Sequence, residues 1–347
     1  MNQRRIADYG VRVGVMPKGK LNKITDVPGV TVGHATIDEG QNHTGVTVIM
    51  PCEDNMFSAK LTAASYVLNG FGKTQGLVQV DELGTLETPI ALTNTLNVGK
   101  VHDAIVGYMA ERCAADGVSM RSINPVVGEC NDAAMNDICD RVVKKEHVFA
   151  AIESACKDFE EGDVGCGRGT VCHGLKGGVG SASRVIPVDG KDYTLGVLVQ
   201  SNHGGVDELH VLERALGKEI LAARRKKPDP EPQDRGSIIM VVATDLPVTD
   251  RQLRRILKRC GVGLARNGSY YGHGSGDVMI GFSTANRMPH GGAHRVLEYK
   301  VITEQTLEFA FRAVAEATQE AVLNSMCCAK EGVKLDGTVV ESITRYL

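Results

Sequence analysis

The stretch that most limits the fold of this chain is Ser237-Ile238-Ile239-Met240-Val241-Val242-Ala243-Thr244-Asp245. Its apolar run has no polar alternation, which is the pattern of a central strand buried on both faces. Directly before it, Arg224 to Arg235 is charged and carries prolines at 228, 230 and 232. Those prolines forbid a regular helix and the charges resist burial, so the segment, about 224–236, reads as an exposed linker. Linker, Gly236, Ser237 and buried strand therefore meet at one point.

That junction reads in two ways. Gly-Ser is a common turn pair, and an ordinary loop-to-strand connection accounts for it. The other reading is chemical. Glycine leaves the carbonyl before Ser237 open to attack. Serine is a weak nucleophile until something takes its proton. A serine at a chain terminus carries its own base, because a free α-amine has a reference pKa of about 7.7–8.0. An internal peptide nitrogen cannot do this, so cleavage at Gly236–Ser237 would be the activating step.

The rest of the chain supplies cover for the buried strand. Strands are expected at Val30 to Val32, Gly45 to Met50, Thr88 to Leu92, Tyr193 to Gln200, Val278 to Phe282 and Val296 to Val301. Helices are expected at Ser58 to Asn69, Val101 to Ala115, Asp207 to Arg225, Asp250 to Arg266 and Thr303 to Ala329, with one or two more between Asn131 and Glu161. Gly162 to Gly180 is the densest of the glycine tracts. Such loose alternation suits a layered sandwich of sheets covered by helices. The 347 residues, 42% of them hydrophobic, are ample for a sizeable core.

Several functions are disfavoured. A net charge of −3 gives no broad basic surface, so nucleic acid is not the expected partner. No apolar stretch approaches the ~18 residues of a membrane span, and the N-terminus lacks a signal-peptide core. Gly70-Phe71-Gly72-Lys73-Thr74 is no phosphate loop, since Val67 stands where that motif needs glycine. Gly165 to Thr170 and Gly178 to Ser183 each lack the last glycine of the dinucleotide fingerprint. His290 and His294 have ligand spacing but enclose two glycines, and HExxH is absent, so no metal and no other cofactor is expected. Ten cysteines without a CxxC read as reduced thiols of a cytoplasmic protein.

The motifs themselves look familiar. Ile24-Thr25-Asp26-Val27-Pro28-Gly29-Val30-Thr31-Val32-Gly33-His34, Thr93 to Gly99, Asn124 to Glu129, Gly174 to Arg184, Val199 to Asn202, Arg235-Gly236-Ser237 and Gly274-Ser275-Gly276-Asp277 with Phe282 to Thr284 follow in order. Together they resemble the L-aminopeptidase/D-Ala-esterase/amidase (DmpA-type) family, which includes the β-aminopeptidases. The resemblance implies an α/β, four-layer α-β-β-α sandwich similar in layering to N-terminal nucleophile hydrolases. It implies a single peptidase domain cut into chains 1–236 and 237–347 that stay together, in a homotetramer of such pairs. It assigns the nucleophile to Ser237, a serine–acid pair to Ser275 and Asp277, and an oxyanion donor to Asn202. The expected substrates are small peptides, amides or esters.

Two positions depart from the family pattern. Asp277 stands where relatives carry Glu, and Ala134 where relatives often carry Tyr. Glu129 is a candidate holder of the substrate's free amine, with Asp132 next; a surface glutamate or a helix-start acid explains Glu129 equally well. Competing functions are an endo-acting hydrolase of non-protein oligoamides, acyl transfer between amines, and a noncatalytic binding protein on the same scaffold.

Overall fold

The apolar run after Gly236 is a strand buried on both faces. Ile239, Val241 and Ala243 pack into one core, and Ile238, Met240 and Val242 into another. The computed structural model describes residues 3–226, 236–291, 294 and 296–347. Its strands are β1 (Thr31–Glu39), β2 (Asn42–Met50), β3 (Ala59–Gly70), β4 (Thr85–Leu86), β5 (Ile90–Asn94), β6 (Val126–Cys130), β7 (Val171–Cys172), β8 (Leu175–Lys176), β9 (Gly178–Val188), β10 (Lys191–Asn202), β11 (Ser237–Thr244), β12 (Gly276–Pro289), β13 (Gly332–Val333) and β14 (Val339–Val340). Its α-helices are α1 (Leu77–Leu83), α2 (Val98–Ala115), α3 (Lys145–Glu153), α4 (Leu216–Ala223), α5 (Asp250–Leu257), α6 (Cys260–Arg266) and α7 (Leu307–Cys327).

Two sheets stack face to face. One has the order β1-β2-β5-β6 and the other β4-β3-β12-β11-β10-β9. Helices α2 and α3 cover the first sheet, and α5 and α7 pack on the second, with α6 against α7. The result is the expected α-β-β-α sandwich. The inner core joins the two sheets, and the outer core joins the six-stranded sheet to its helices. Burial on both faces is why β11 shows no alternation of apolar and polar residues. β11 runs parallel to β12 and antiparallel to β10.

Four local expectations are corrected. Ser58 to Asn69 is not a helix but most of β3, hydrogen-bonded to β12 along its length. It borders the centre of the sheet, and its Leu61 to Ser65 stretch is buried on both sides, so that run carries no period that separates helix from strand. Val296 to Val301 forms no strand: β-branched composition without a partner strand leaves Val296 96% exposed. Asp207 to Arg225 is helical only over α4, after a short 3-10 turn. Asp250 to Arg266 is two helices, α5 and α6. Of the proline-bearing linker, residues 227–235 lie outside the described residues. Arg224 is partly buried against Glu341, so the exposed stretch does not begin there. Among the described residues, no helix is long and apolar enough to cross a membrane.

A buried ion cluster ties the helical layer to the edge of the larger sheet. Arg184 on β9 is fully buried and reaches Glu316 and Glu320 on α7 at 3.1 and 2.8 Å. Lys18 meets Glu320 from the other side at 2.6 Å. Removing one partner of a buried pair leaves an uncompensated charge, at about 3–5 kcal/mol. Arg184→Leu should therefore lower the urea unfolding midpoint strongly. A midpoint equal to that of wild type would show that the cluster contributes no more than a surface pair.

Candidate active site

The strand register builds the site. Ser237, the first residue of β11, lies opposite Asn202, the last residue of β10, and opposite Gly276, the first residue of β12. Three residues of neighbouring strands thus stand in one row at one end of the sheet. Ser237 and Asn202 border a cavity of about 400 Å³, whose wall also includes Glu129, Asn131 and Ala134.

At Ser237 the chain is poised around its own preceding carbonyl. Ser237 Oγ donates to the Gly236 oxygen at 2.6 Å. The same oxygen accepts the Gly276 N–H at 3.1 Å. Both glycines are required by crowding. A Cβ on Gly236 would stand 2.1 Å from the Asn202 carbonyl oxygen. One on Gly276 would stand 2.6 Å from the Phe71 oxygen and 3.1 Å from Ser237 Oγ.

Ser275 and Asp277 flank Gly276 and are fully buried. Ser275 lies just before β12, and its hydroxyl donates to Asp277 Oδ1 at 2.9 Å. The shorter aspartate arm therefore reaches its serine directly. Asn69 on β3 props the loop that carries Ser275, donating to the Gly272 oxygen at 2.9 Å and to the Ser275 oxygen.

Asn202 is held from both ends of its amide. Its Oδ1 accepts the Val171 N–H at 2.9 Å, and its Nδ2 donates to the Asn131 oxygen at 2.9 Å. An N–H can only donate and a carbonyl only accept, so the two partners agree on the amide's orientation. One hydrogen of Nδ2 remains for the cavity that Asn202 lines.

Glu129 is neither a surface glutamate nor a helix-start acid. It lies in β6, only 2% exposed, and faces the cavity. Its Oε1 accepts the Lys73 N–H at 2.8 Å, and its Oε2 accepts the Thr95 hydroxyl. Thr95 and the Lys73 amide were not singled out as site residues in the sequence. Thr95 belongs to the Thr93 to Gly99 tract, but an amide contributed by chain position leaves no signature.

The Gly276 N–H was missed for the same reason. Asp132 does not share the cavity. Its carboxylate accepts from Thr44 at 2.6 Å, Asn136 at 3.0 Å and Asn94 at 3.1 Å. It is thus a structural anchor beneath the site.

Neither departure empties the site. Ala134 lines the cavity with a methyl group, which makes that part of the wall apolar. The His290 and His294 pair gains no support as a ligand set, since among the described residues the one group of three metal-ligating side chains lies elsewhere.

Known proteins resemble the chain over nearly its whole length. The sequence pattern of peptidase family S58 matches residues 22–340. The chain belongs to peptidase family S58. It is accordingly a peptide-bond hydrolase, and the noncatalytic reading is set aside. It is 38% identical to the beta-peptidyl aminopeptidase BapA of Sphingosinicella xenopeptidilytica over 94% of this chain and 85% of that protein. Among solved structures, the PH0078 protein of Pyrococcus horikoshii OT3 is 44% identical, with a TM-score of 0.90 over 98% of this chain and 96% of that one. The L-aminopeptidase D-Ala-esterase/amidase of Ochrobactrum anthropi, a variant of the Ntn hydrolase fold, is 33% identical, with a TM-score of 0.90 over 98% and 95% of the two chains. The S58 fold is therefore the one inferred from the ordered motifs.

Burial raises the Asp132 carboxyl from 3.8 to about 6, against the pull of its three donors. The folded state then holds a proton that the unfolded chain releases near 4. Stability should fall as pH rises from about 4 to about 6 and stay reduced above it, by at most about 3 kcal/mol. Asp132→Asn cannot ionise, so its stability relative to wild type should improve over that window. Urea unfolding of both proteins at pH 4.5 and pH 8 reads the difference. A constant gap at both pH values would show that Asp132 is ionised throughout.

Proposed function

We propose that this S58 peptidase is a self-processing serine aminopeptidase that acts through an acyl-enzyme on Ser237. The observation that carries the reading is the Ser237 hydroxyl set against the Gly236 carbonyl, whose oxygen already accepts the Gly276 N–H. Processing begins when Oγ attacks the Gly236 carbonyl carbon. Negative charge develops on the Gly236 oxygen, and the Gly276 N–H stabilises it. Collapse breaks the Gly236–Ser237 C–N bond as the proton lost by Oγ passes to the departing Ser237 nitrogen, and the acyl group is left on Oγ. Water hydrolyses that ester, giving a Gly236 carboxylate and a Ser237 bearing a free α-amine.

In turnover the new amine takes the Ser237 hydroxyl proton as Oγ attacks the substrate carbonyl. Asn202 donates its second Nδ2 hydrogen to the oxyanion. The amine returns the proton to the leaving nitrogen, and water then releases the acyl group. Ser275 and Asp277 flank the strand partner of Ser237, and their role is to orient and polarise the amine. Glu129 binds the substrate's ammonium; each carboxylate oxygen keeps a second lone pair beyond its contacts with Lys73 and Thr95. A free-amine anchor beside the nucleophile favours removal of N-terminal residues over endo-cleavage. The cavity's size suits short peptides and amides, including β-peptides of the kind named for the Sphingosinicella relative.

Mass spectrometry tests processing. Wild type should give fragments 1–236 and 237–347, about 25 and 12 kDa from a 37.1 kDa whole. The second fragment should begin with Ser. Ser237→Ala should stay whole and inactive. An active enzyme that remains a single 37.1 kDa chain would overturn the proposal.

Glu129→Gln tests substrate selection. Loss of a charge-assisted bond to the ammonium should lower kcat/KM on free-amine substrates by roughly 10- to 100-fold. Hydrolysis of the N-acetylated analogue should change little, and processing should be retained. If Glu129→Gln discriminates as well as wild type, the amine is held elsewhere.

A further inference from the structure

Behind the oxyanion residue lies a second cluster that the serine chemistry does not use. Cys172 ends β7, His173 follows it in the turn to β8, and His203 follows β10. All three are buried, and one ligating atom from each falls within 4.8 Å of the others. Cys172 Sγ stands 3.8 Å from His203 Nδ1, and the two imidazole rings are 5.1 Å apart at 69°.

The backbone fixes this arrangement. His173 N–H donates to the His203 oxygen at 2.7 Å, and His173 adopts a positive φ of 48°. Holding a non-glycine residue in the left-handed region costs energy, which marks the turn as over-determined by its surroundings.

The donors suit one class of ligand. His173 Nδ1 lies 3.0 Å from the Gly205 oxygen. A carbonyl only accepts, so Nδ1 bears the proton and Nε2 carries the lone pair. Such a bond is the usual outer support of a metal-ligating histidine. Among the described residues, His203 Nε2 is buried with no hydrogen-bond partner. A buried imidazole nitrogen without a partner is costly whether it carries a proton or a lone pair, unless a bound group compensates it.

One thiol and two imidazoles exclude the hard cations, which require oxygen, and match Zn²⁺ or a similar thiophilic ion. Tetrahedral Zn²⁺ would draw sulfur and nitrogen to about 3.5 Å apart. The present separations of up to 4.8 Å exceed that value by about 1.3 Å at most.

We infer that Cys172, His173 and His203 bind a thiophilic transition-metal ion of the Zn²⁺ class, a site distinct from the serine nucleophile. The ion takes the thiolate and one nitrogen from each ring, and the thiol proton leaves to solvent. Its fourth position stays open, and His203 borders the cavity, so the ion can exchange. Val171 and Asn202 are the chain neighbours of Cys172 and His203, and the Val171 N–H holds Asn202 Oδ1. Metal binding therefore pins both segments that orient Asn202. The site does not depend on the assignment of Ser237.

Cobalt is the probe, added to the full-length purified enzyme after chelator treatment. One Co²⁺ per chain should bind, with a near-ultraviolet sulfur-to-cobalt charge-transfer band and the intense visible bands of a four-coordinate ion. Zn²⁺ should displace it and raise the apparent melting temperature. Cys172→Ser should lose the charge-transfer band and the thermal shift. His203→Gln should weaken binding beyond the roughly 10–100-fold that follows loss of an outer-sphere partner. Cys139→Ser and Cys156→Ser, changes at the exposed cysteines, should leave the spectrum intact. Absence of a charge-transfer band in wild type, or a band that survives Cys172→Ser or disappears with Cys139→Ser, would overturn the inference.

Discussion

The register of β10, β11 and β12 is the constraint on which the rest of the site depends. Asn202, Ser237 and Gly276 share one row only because those strands pair as they do. A slip of one residue in either pairing would turn the opposing side chains to the other face of the sheet. That register is held by burial on both sides: β11 places alternate residues into two separate cores, so neither face tolerates a shift. The parallel pairing of β11 with β12 also brings the Gly276 N–H onto the Gly236 oxygen. A chemical alignment is thus a by-product of the sheet's hydrogen bonding.

The interface between the sheets then supplies the walls. Gln200, fully buried on β10, donates across it to the Thr93 oxygen at 3.1 Å and to the Cys166 oxygen at 2.9 Å. Cys130, beside Glu129 on β6, sits against the Gln200 and Ser237 oxygens at 3.4 Å each. Buried polar links of this kind are strong because no water competes for them. They fix the spacing of β6 from β11, and so the position of Glu129 relative to Ser237. The proposed ammonium anchor on one sheet and the proposed nucleophile on the other share one cavity because the packing between sheets is rigid.

Legibility in the sequence followed how much of each feature is local. The buried β11 strand and its junction with a charged, proline-bearing segment stood out because an unbroken apolar run and alternate prolines are patterns within a few residues. β3 was misread because double burial removes the alternation that distinguishes strand from helix. Ser237 is a candidate from its junction alone, whereas Ser275, Asp277 and Asn202 become candidates only through the order of motifs, since a lone Asn or Asp has no chemical signature of its own. Thr95 and the Lys73 and Gly276 amides escaped notice: each matters through a position in space that only the fold defines. The Cys172, His173 and His203 cluster was hidden likewise, because about thirty residues of β8, β9 and β10 separate its two halves and no ligand-spacing motif spans them.

On the proposed route, the uncut chain cannot be an aminopeptidase, because the nitrogen of Ser237 is an amide without a basic lone pair. It cannot be cut before it folds either. The attack needs the Gly236 oxygen to meet the Gly276 N–H, and Gly276 reaches it only once β12 has paired with β11. That pairing joins residues some forty positions apart, a loop closure that only the completed core repays. Cleavage then removes a constraint as well as a bond. While joined, Gly236 lies so close to the Asn202 carbonyl that no side chain fits, and it occupies the wall of the cavity beside the nucleophile. Freed from Ser237, it no longer has to stay there. The same event therefore creates the base and releases the segment nearest the attacking oxygen, which couples the appearance of activity to completion of the fold.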